Sequence, residues 1–136
     1  MTVKSTDPGA TPDRPIVYIV DDDDSVRRAL RRLIRSMGMR AEAFASPEEL
    51  LRSDLRDPVG CLLFDVQLPG MNGFELHERF VEAGWAAPVI FITAHPDAGS
   101  RARARNVDAV AYLEKPFDDG SLHEALETAL GAISKD

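Results

Sequence analysis

The chain has 136 residues, a formal net charge of −7 at pH 7, and 44% hydrophobic against 29% charged residues. These values suit one globular domain, and the acidic balance argues against broad nucleic-acid binding, which needs a basic footprint. Cys61 is the only cysteine, which excludes an intramolecular disulfide and a thiolate metal cluster. No apolar stretch has the length of a membrane span or the form of a signal peptide, which predicts a cytoplasmic protein without membrane contact.

Secondary structure is predicted from residue 15 onwards. Residues 1–14 are rich in Thr, Pro, Asp and Gly and are predicted to form a disordered tail. Between residues 15 and 134, short apolar runs alternate with amphipathic stretches, which predicts a parallel sheet covered on both faces by helices. The predicted strands are 16–20, 40–44, 61–64, 88–92 and 109–113, and the predicted helices are 24–37, 47–53, 73–83, 97–106 and 119–133.

Several helix ends are marked by capping residues. In the first helix, Asp24 or Ser25 is predicted to be the N-cap, and Gly38 ends the helix. In the second helix, Ser46 and Glu49 have the spacing of a capping box. The outer side of the first helix carries arginines at 28, 31, 32 and 35. They are interpreted either as a solvated face or as a surface for an acidic partner.

The predicted strand ends carry polar side chains that suit phosphoryl chemistry. In an open α/β sheet the ligand crevice lies beyond the carboxyl ends of the strands. These ends carry aspartates at 21–24, Asp65, Thr93 and Lys115. Gathered carboxylates repel one another unless a hard cation such as Mg²⁺ binds them, and the lack of a His/Cys cluster disfavours zinc. Because a carboxylate can attack phosphorus, the pattern predicts an aspartyl phosphate, with Lys115 neutralising charge and Thr93 donating a hydrogen bond.

Four sequence blocks resemble the receiver domains of two-component response regulators, and the FixJ-type branch in particular. The blocks are VDD at 20–22, FDVQLPGMNG at 64–73, ITA at 92–94 and EKPF at 114–117. They occur in the family's order and at its spacing. The resemblance implies that residues 15–134 form a flavodoxin-like α/β domain. Its doubly wound five-stranded parallel sheet would have the order 2-1-3-4-5, with five helices.

The resemblance also implies the roles of residues around the metal. Asp65 matches the phosphoacceptor. Asp22 matches the direct Mg²⁺ ligand, and Asp21 matches the residue that acts on the metal through water. Asp65 and the backbone carbonyl of Gln67 would complete the protein's contribution to the metal site. Asp23 is predicted to be a bystander in this run.

Further matches concern the response to phosphorylation. Thr93 and Lys115 match the pair that senses phosphate. Tyr112 matches an aromatic that turns inward on activation, although a core strand aromatic is an equal interpretation. Gln67 and His95 lie where family members vary the lifetime of the phosphoryl group. Since an imidazole changes charge near neutral pH, the decay is predicted to depend on pH through His95.

Three structural details are also predicted. The Lys115–Pro116 peptide bond is expected to be cis, which would aim the Lys115 ammonium at Asp65. Asp108 stands where FixJ-type domains usually carry Gly, so a positive φ is expected there. Trp85 is expected at the edge of the sheet opposite the site.

The resemblance implies protein partners rather than an external substrate. The donor would be a sensor histidine kinase or a histidine phosphotransfer protein, and a downstream protein would receive the output. A phosphorylation-dependent homodimer would form through the face of the fourth helix, fifth strand and fifth helix. The chain is expected to catalyse only its own phosphorylation and dephosphorylation, and therefore not to be an enzyme. No output domain is predicted within it.

Three other functions are compatible with parts of the sequence. The spacing of Asp21, Asp23 and Ser25 loosely resembles the first motif of haloacid-dehalogenase-type phosphatases, but the chain is short for their core plus cap. A receiver-like module that is not phosphorylated should lack Asp65, Thr93 or Lys115. A DNA-binding regulator would need an output domain.

Overall fold

The computed structural model describes residues 15–53 and 59–134, and five strands alternate with five helices within them. The predicted tail of residues 1–14 lies outside the described residues. The strands are β1 (Ile16–Val20), β2 (Arg40–Phe44), β3 (Val59–Asp65), β4 (Val89–Thr93) and β5 (Ala111–Glu114). The helices are α1 (Asp24–Ser36), α2 (Pro47–Arg52), α3 (Gly73–Glu82), α4 (Ala98–Asn106) and α5 (Asp119–Ser134). All strands pair in parallel in the order β2-β1-β3-β4-β5, which confirms the predicted fold and strand order.

The central strands are buried on both faces because helices cover each side of the sheet. In β1, Tyr18 and Val20 point into the layer that also contains residues of α2, α3 and α4. Val17 and Ile19 point into the layer that contains residues of α1 and α5. Successive side chains of a strand point to opposite faces of the sheet, so a strand whose two faces are both covered by helices is apolar along its whole length. This arrangement explains the continuous apolar runs in the sequence.

Two strands, β3 and β5, begin two residues away from their predicted starts, and the other strand boundaries agree to within one residue. β3 begins at Val59 rather than residue 61, because Gly60 continues the strand although glycine is a weak strand former. A Cβ at Gly60 would collide with Pro15 and Leu130, so glycine permits close packing there. β5 begins at Ala111 rather than residue 109, because the end of α4 occupies the preceding turn.

The N-cap of α1 is Asp23, so the prediction of Asp24 or Ser25 was wrong. The Asp23 carboxylate accepts hydrogen bonds from the backbone N–H groups of Ser25 at 2.9 Å and Val26 at 3.3 Å. Asp23 retains extended backbone angles, whereas Asp24 is already helical. The hydrogen bond from the Ser25 hydroxyl, followed by the backbone bonds, lowers the pKa of Asp23. Asp23 therefore has a structural role as the cap of α1, and it is not among the three carboxylates that could hold a metal.

The capping boxes also differ from the prediction. Ser46 caps α2 by accepting from the Glu49 N–H at 3.2 Å, but the Glu49 carboxylate accepts from the N–H of Ala45, not that of Ser46. A complete box forms at α3, where Asn72 and Glu75 bond each other's backbone N–H groups at 2.9 and 2.8 Å. This box fixes the start of α3 directly after the loop that follows β3.

The turn after α4 requires a positive φ, as expected, and Asp108 adopts φ 55°. Its N–H bonds Arg105 O, and the next N–H bonds Ala104 O, the pattern of a Schellman motif. Asp108→Gly is expected to raise the free energy of unfolding by about 0.5–1 kcal/mol. Glycine removes the strain of the left-handed backbone conformation at position 108, which stabilises the folded state. This gain should be larger than the free-energy cost of the extra conformational entropy that glycine gives to the unfolded chain. Denaturant unfolding measures this change.

The matched control for this prediction is Gly84→Asp. Gly84 ends α3 in the same motif with φ 94°, and a Cβ there would meet nothing within 4 Å. The control should lower the free energy of unfolding because it introduces only backbone strain. A protein that is unchanged or weakened by Asp108→Gly would contradict the prediction.

Candidate functional site

Three carboxylates meet at the carboxyl ends of β1 and β3, which are neighbours in the sheet. One oxygen from each of Asp21, Asp22 and Asp65 lies within 4.8 Å of the others. Asp21 and Asp65 are buried, whereas Asp22 is exposed. The structure therefore brings together the three side chains predicted to hold a metal.

Lys115 links two of these carboxylates. Its Nζ lies 2.8 Å from Asp21 Oδ2 and 3.1 Å from Asp65 Oδ2. The backbone N–H of Lys115 donates to Thr93 O at 2.7 Å, and the Lys115–Pro116 bond is cis as predicted. Burial lowers the pKa of Lys115, but its contacts with the Asp21 and Asp65 carboxylates outweigh this effect, so the pKa is raised overall. Lys115 therefore stays cationic at the site.

Asp65 carries uncompensated charge in spite of this ion pair. Its Oδ1 accepts from the Gln67 N–H at 3.0 Å, and its Oδ2 accepts from Lys115. Burial, and then the charge of Asp21, raises the pKa of Asp65 to about 6, although both hydrogen bonds act in the opposite direction. The site as it stands holds more negative charge than Lys115 neutralises.

The residues fit a hard divalent cation. Asp21 Oδ2 is buried and lacks an aligned hydrogen bond, because its close approach to Lys115 is an ion pair of poor hydrogen-bond angle. A buried carboxylate oxygen without such a donor is suited to a metal. Asp21, Asp22 and Asp65 would hold the ion, and Gln67 lies beside them through its N–H bond to Asp65.

Asp21 is itself held by a residue that the sequence analysis did not single out. Arg27 Nη1 donates to the backbone oxygen of Asp21 at 2.8 Å, and the Asp23 N–H donates to Asp21 Oδ1 at 2.9 Å. The side chain of Arg27 also pairs with Asp24. In the sequence, Arg27 is one of several arginines of the first helix. Only the fold shows that it, unlike the others, contacts the backbone of Asp21.

Thr93 is buried, and its hydroxyl is hydrogen-bonded to the side chain of Gln67. Its hydroxyl donates to Gln67 Oε1 at 2.6 Å and accepts from the His95 N–H at 2.9 Å. Gln67 and His95 are both exposed, and their role in the lifetime of a phosphoryl group stays a prediction. A phosphate oxygen that draws the Thr93 hydroxyl towards Asp65 would have to replace its bond to Gln67.

Tyr112 lies between the core and the surface. It is half-buried, its hydroxyl bonds the Ser100 hydroxyl, and the Arg101 guanidinium lies 4.8 Å from the ring centroid. Tyr112 is thus held against α4 by two residues that the sequence analysis missed. Its role as a switch stays a prediction.

A mostly apolar groove of about 560 Å³ runs beside the site between α1 and α5. Val26, Ala29 and Leu33 line it on α1, and Phe117 lines it near α5. Lys115 also lines the groove, so a side chain lying in it would approach the ammonium that contacts Asp65.

Trp85 lies at the opposite edge of the sheet, as expected. It follows α3, precedes β4, and packs on Phe80 with 5.8 Å between ring centroids. Among the described residues, no helix combines the length and apolar character needed to cross a bilayer.

The raised pKa of Asp65 has a consequence for stability in metal-free protein. The Asp65 carboxyl binds a proton more tightly in the folded state, with a pKa of about 6, than in the unfolded state, where its pKa is 3.8. The free energy of unfolding therefore falls as pH rises from about 4 to about 6. The loss should be about 2 kcal/mol and should be absent in Asp65→Asn. Unfolding of both proteins in EDTA between pH 4 and 7.5 tests this, and parallel curves would contradict it.

Comparison with known proteins identifies the class. A family model described as a response regulator receiver domain matches residues 17–127. A receiver protein from Burkholderia phymatum is 46% identical, with a TM-score of 0.74 over 87% of this chain and 96% of that one. A receiver protein from Pseudoalteromonas atlantica is 27% identical, with a TM-score of 0.82 over 88% and 100%. The chain belongs to the family of response-regulator receiver domains.

The relatives agree with the FixJ-type branch. Nodulation protein W of Bradyrhizobium diazoefficiens is 40% identical over 116 residues, which are 85% of this chain and 51% of that protein. The transcriptional regulatory protein FixJ of Azorhizobium caulinodans is 35% identical over 115 residues, which are 85% and 54%. The chain spans about half the length of these relatives.

Proposed function

We propose that this receiver domain accepts a phosphoryl group on Asp65, with Mg²⁺, from a sensor histidine kinase or a histidine phosphotransfer protein. It then changes conformation to control a downstream protein. The observation that carries the proposal is the contact of Lys115 Nζ with both Asp21 and Asp65, within a cluster of three carboxylates. This arrangement supplies a nucleophile, a cation and a place for a metal at one point.

In the proposed reaction, a carboxylate oxygen of Asp65 attacks phosphorus and forms a P–O bond. The P–N bond to the donor histidine breaks, and the imidazole nitrogen leaves with the electron pair. Lys115 would neutralise charge on the transferring group. Bound Mg²⁺ would add positive charge near the phosphoryl oxygens. Loss of the phosphoryl group to water would return Asp65, so the chain would catalyse only its own phosphorylation and dephosphorylation.

The conformational change would begin at Thr93. A new phosphate oxygen next to Asp65 would accept from the Thr93 hydroxyl, which now donates to Gln67. Tyr112, held by Ser100 and Arg101 on α4, would then lose or change these contacts. A homodimer would form through the α4, β5 and α5 face in response.

The donor is expected to dock in the apolar groove between α1 and α5. This groove reaches Lys115, so an apolar surface of the donor would bring its phosphohistidine close to Asp65. Control of the output would pass through contacts with a downstream protein, because the net charge of −7 disfavours direct nucleic-acid binding by this chain.

Phosphorylation by a small donor tests the proposal. Incubation with acetyl phosphate and Mg²⁺ should add the mass of one phosphoryl group, and EDTA should prevent the gain. Kinases from the same organism can then be compared for transfer. Continuous turnover of p-nitrophenyl phosphate would instead favour a phosphatase, and no mass gain with any donor would overturn the proposal.

The lifetime of the phosphoryl group should depend on the two rim residues. His95 is exposed near Thr93 and its imidazole can take up or release a proton, whereas Gln67 can hold a water but cannot deprotonate it. First-order decay should therefore vary with pH in the native protein and lose that dependence in His95→Ala. Gln67→Ala is the matched control and should change the rate while leaving the pH profile intact. Identical profiles in native and His95→Ala protein would make His95 a bystander.

A further inference from the structure

The outer side of α1 carries a row of four arginines, here called the arginine stripe, of which three are exposed and Arg31 is half-buried. It consists of Arg28, Arg31, Arg32 and Arg35. Spacings of three and four residues place the stripe on one side of the helix, opposite the buried Leu30 and Ile34. The four side chains line a shallow hollow of about 330 Å³.

The chain does not neutralise this stripe. Arg28 pairs with Asp24, but Arg31, Arg32 and Arg35 form no ion pair with any described residue. Arg31 Nε is buried and finds no hydrogen-bond acceptor in the described part of the chain. Like charges at these spacings repel, and a buried donor without an acceptor is unfavourable. The stripe works against the stability of α1, which points to a role in binding an anion.

The surroundings restrict the kind of anion. The chain has a net charge of −7 even with the stripe included, so an extended polyanion such as DNA or an anionic membrane would meet repulsion around it. A guanidinium group matches a carboxylate with two parallel hydrogen bonds. A short segment with carboxylates at the same helical spacing would pair with the stripe and avoid the acidic remainder.

We propose that the arginine stripe docks an acidic helical segment of a protein partner. The segment would present carboxylates three and four residues apart along one side. The stripe lies on the side of α1 away from Val26 and Leu33, which line the apolar groove, so this docking leaves the phosphorylation site open. It should not depend on phosphorylation of Asp65, and the inference stands or falls separately from the proposed function.

The test uses the full chain and a synthetic helical peptide with Glu at positions i, i+3, i+4 and i+7. The triple variant Arg31→Gln/Arg32→Gln/Arg35→Gln should bind about tenfold more weakly. The matched control removes the same charge from exposed arginines elsewhere, as Arg52→Gln/Arg79→Gln/Arg105→Gln, and should bind like the native protein. Binding should weaken with salt and stay unchanged after acetyl phosphate treatment. Circular dichroism confirms that each variant is folded.

The second comparison uses a peptide of the same composition in which the glutamates are distributed around the helix. This peptide should bind more weakly than the one with its glutamates along one side. Charge reversal supplies a gain of function: Arg31→Glu/Arg35→Glu should bind the peptide in which Glu is replaced by Lys. Equal weakening in the control variant, equal binding of both peptides, or tighter stripe-dependent binding to duplex DNA or anionic vesicles would each overturn the proposal.

Discussion

Asp65→Asn protein should gain no phosphoryl mass when acetyl phosphate and Mg²⁺ are supplied, whereas the native protein should gain one group. The amide has nearly the shape of the carboxylate but lacks the charged oxygen that attacks phosphorus. The fold should survive, because Asn removes a negative charge that is disfavoured by burial and by the nearby Asp21, the two causes that raise the pKa of Asp65 to about 6. Intact-protein mass spectrometry measures the outcome directly.

Asp108→Asn is the control for this loss. It makes the same chemical change at an exposed turn, and Asn tolerates the positive φ of 55° found there. The control should be phosphorylated like the native protein. A mass gain retained in Asp65→Asn would place the acceptor on another side chain and reject the assignment of Asp65.

Asp22→Ala is expected to abolish Mg²⁺ binding and phosphorylation. Asp22 is the exposed member of the carboxylate cluster, so its loss removes a ligand without opening the core. Titration calorimetry with MgCl₂ measures binding, and acetyl phosphate measures the reaction. Trp85 fluorescence is a poor reporter, since this residue packs on Phe80 at the far edge of the sheet.

Asp23→Ala is the control, because it removes one carboxylate from the neighbouring position. It should keep Mg²⁺ binding and phosphorylation but lower the free energy of unfolding by about 1 kcal/mol, since Asp23 caps α1. Loss of Mg²⁺ binding in Asp23→Ala with retention in Asp22→Ala would mean that the roles along the aspartate run are shifted by one residue.

The architecture and the location of the site were predictable because each depends on local patterns. A strand covered on both faces is apolar along its length, as in β1 and β4, and helices between such strands lead to a parallel sheet. The carboxyl ends of parallel strands share one edge. The sequence alone therefore predicts that Asp65, Thr93 and Lys115 lie together.

Contacts between distant residues were not predictable in the same way. The bond between Thr93 and Gln67 joins residues 26 positions apart and depends on side-chain conformations that no local pattern specifies. Asp23 was missed as a cap for a different reason. In a run of identical aspartates, only the backbone angles show which one precedes the helix.

The space around a glycine determines whether another residue can replace it, as Gly73 at the start of α3 and Gly131 in α5 illustrate. Any side chain at Gly73 would collide with the backbone oxygen of Asp65, although the φ of this glycine is not positive. At Gly131, within α5, an added methyl group would meet nothing within 4 Å. The sequence alone does not distinguish the two glycines. Related proteins are expected to vary at position 131 but to keep glycine at position 73, because only glycine fits there without moving the backbone.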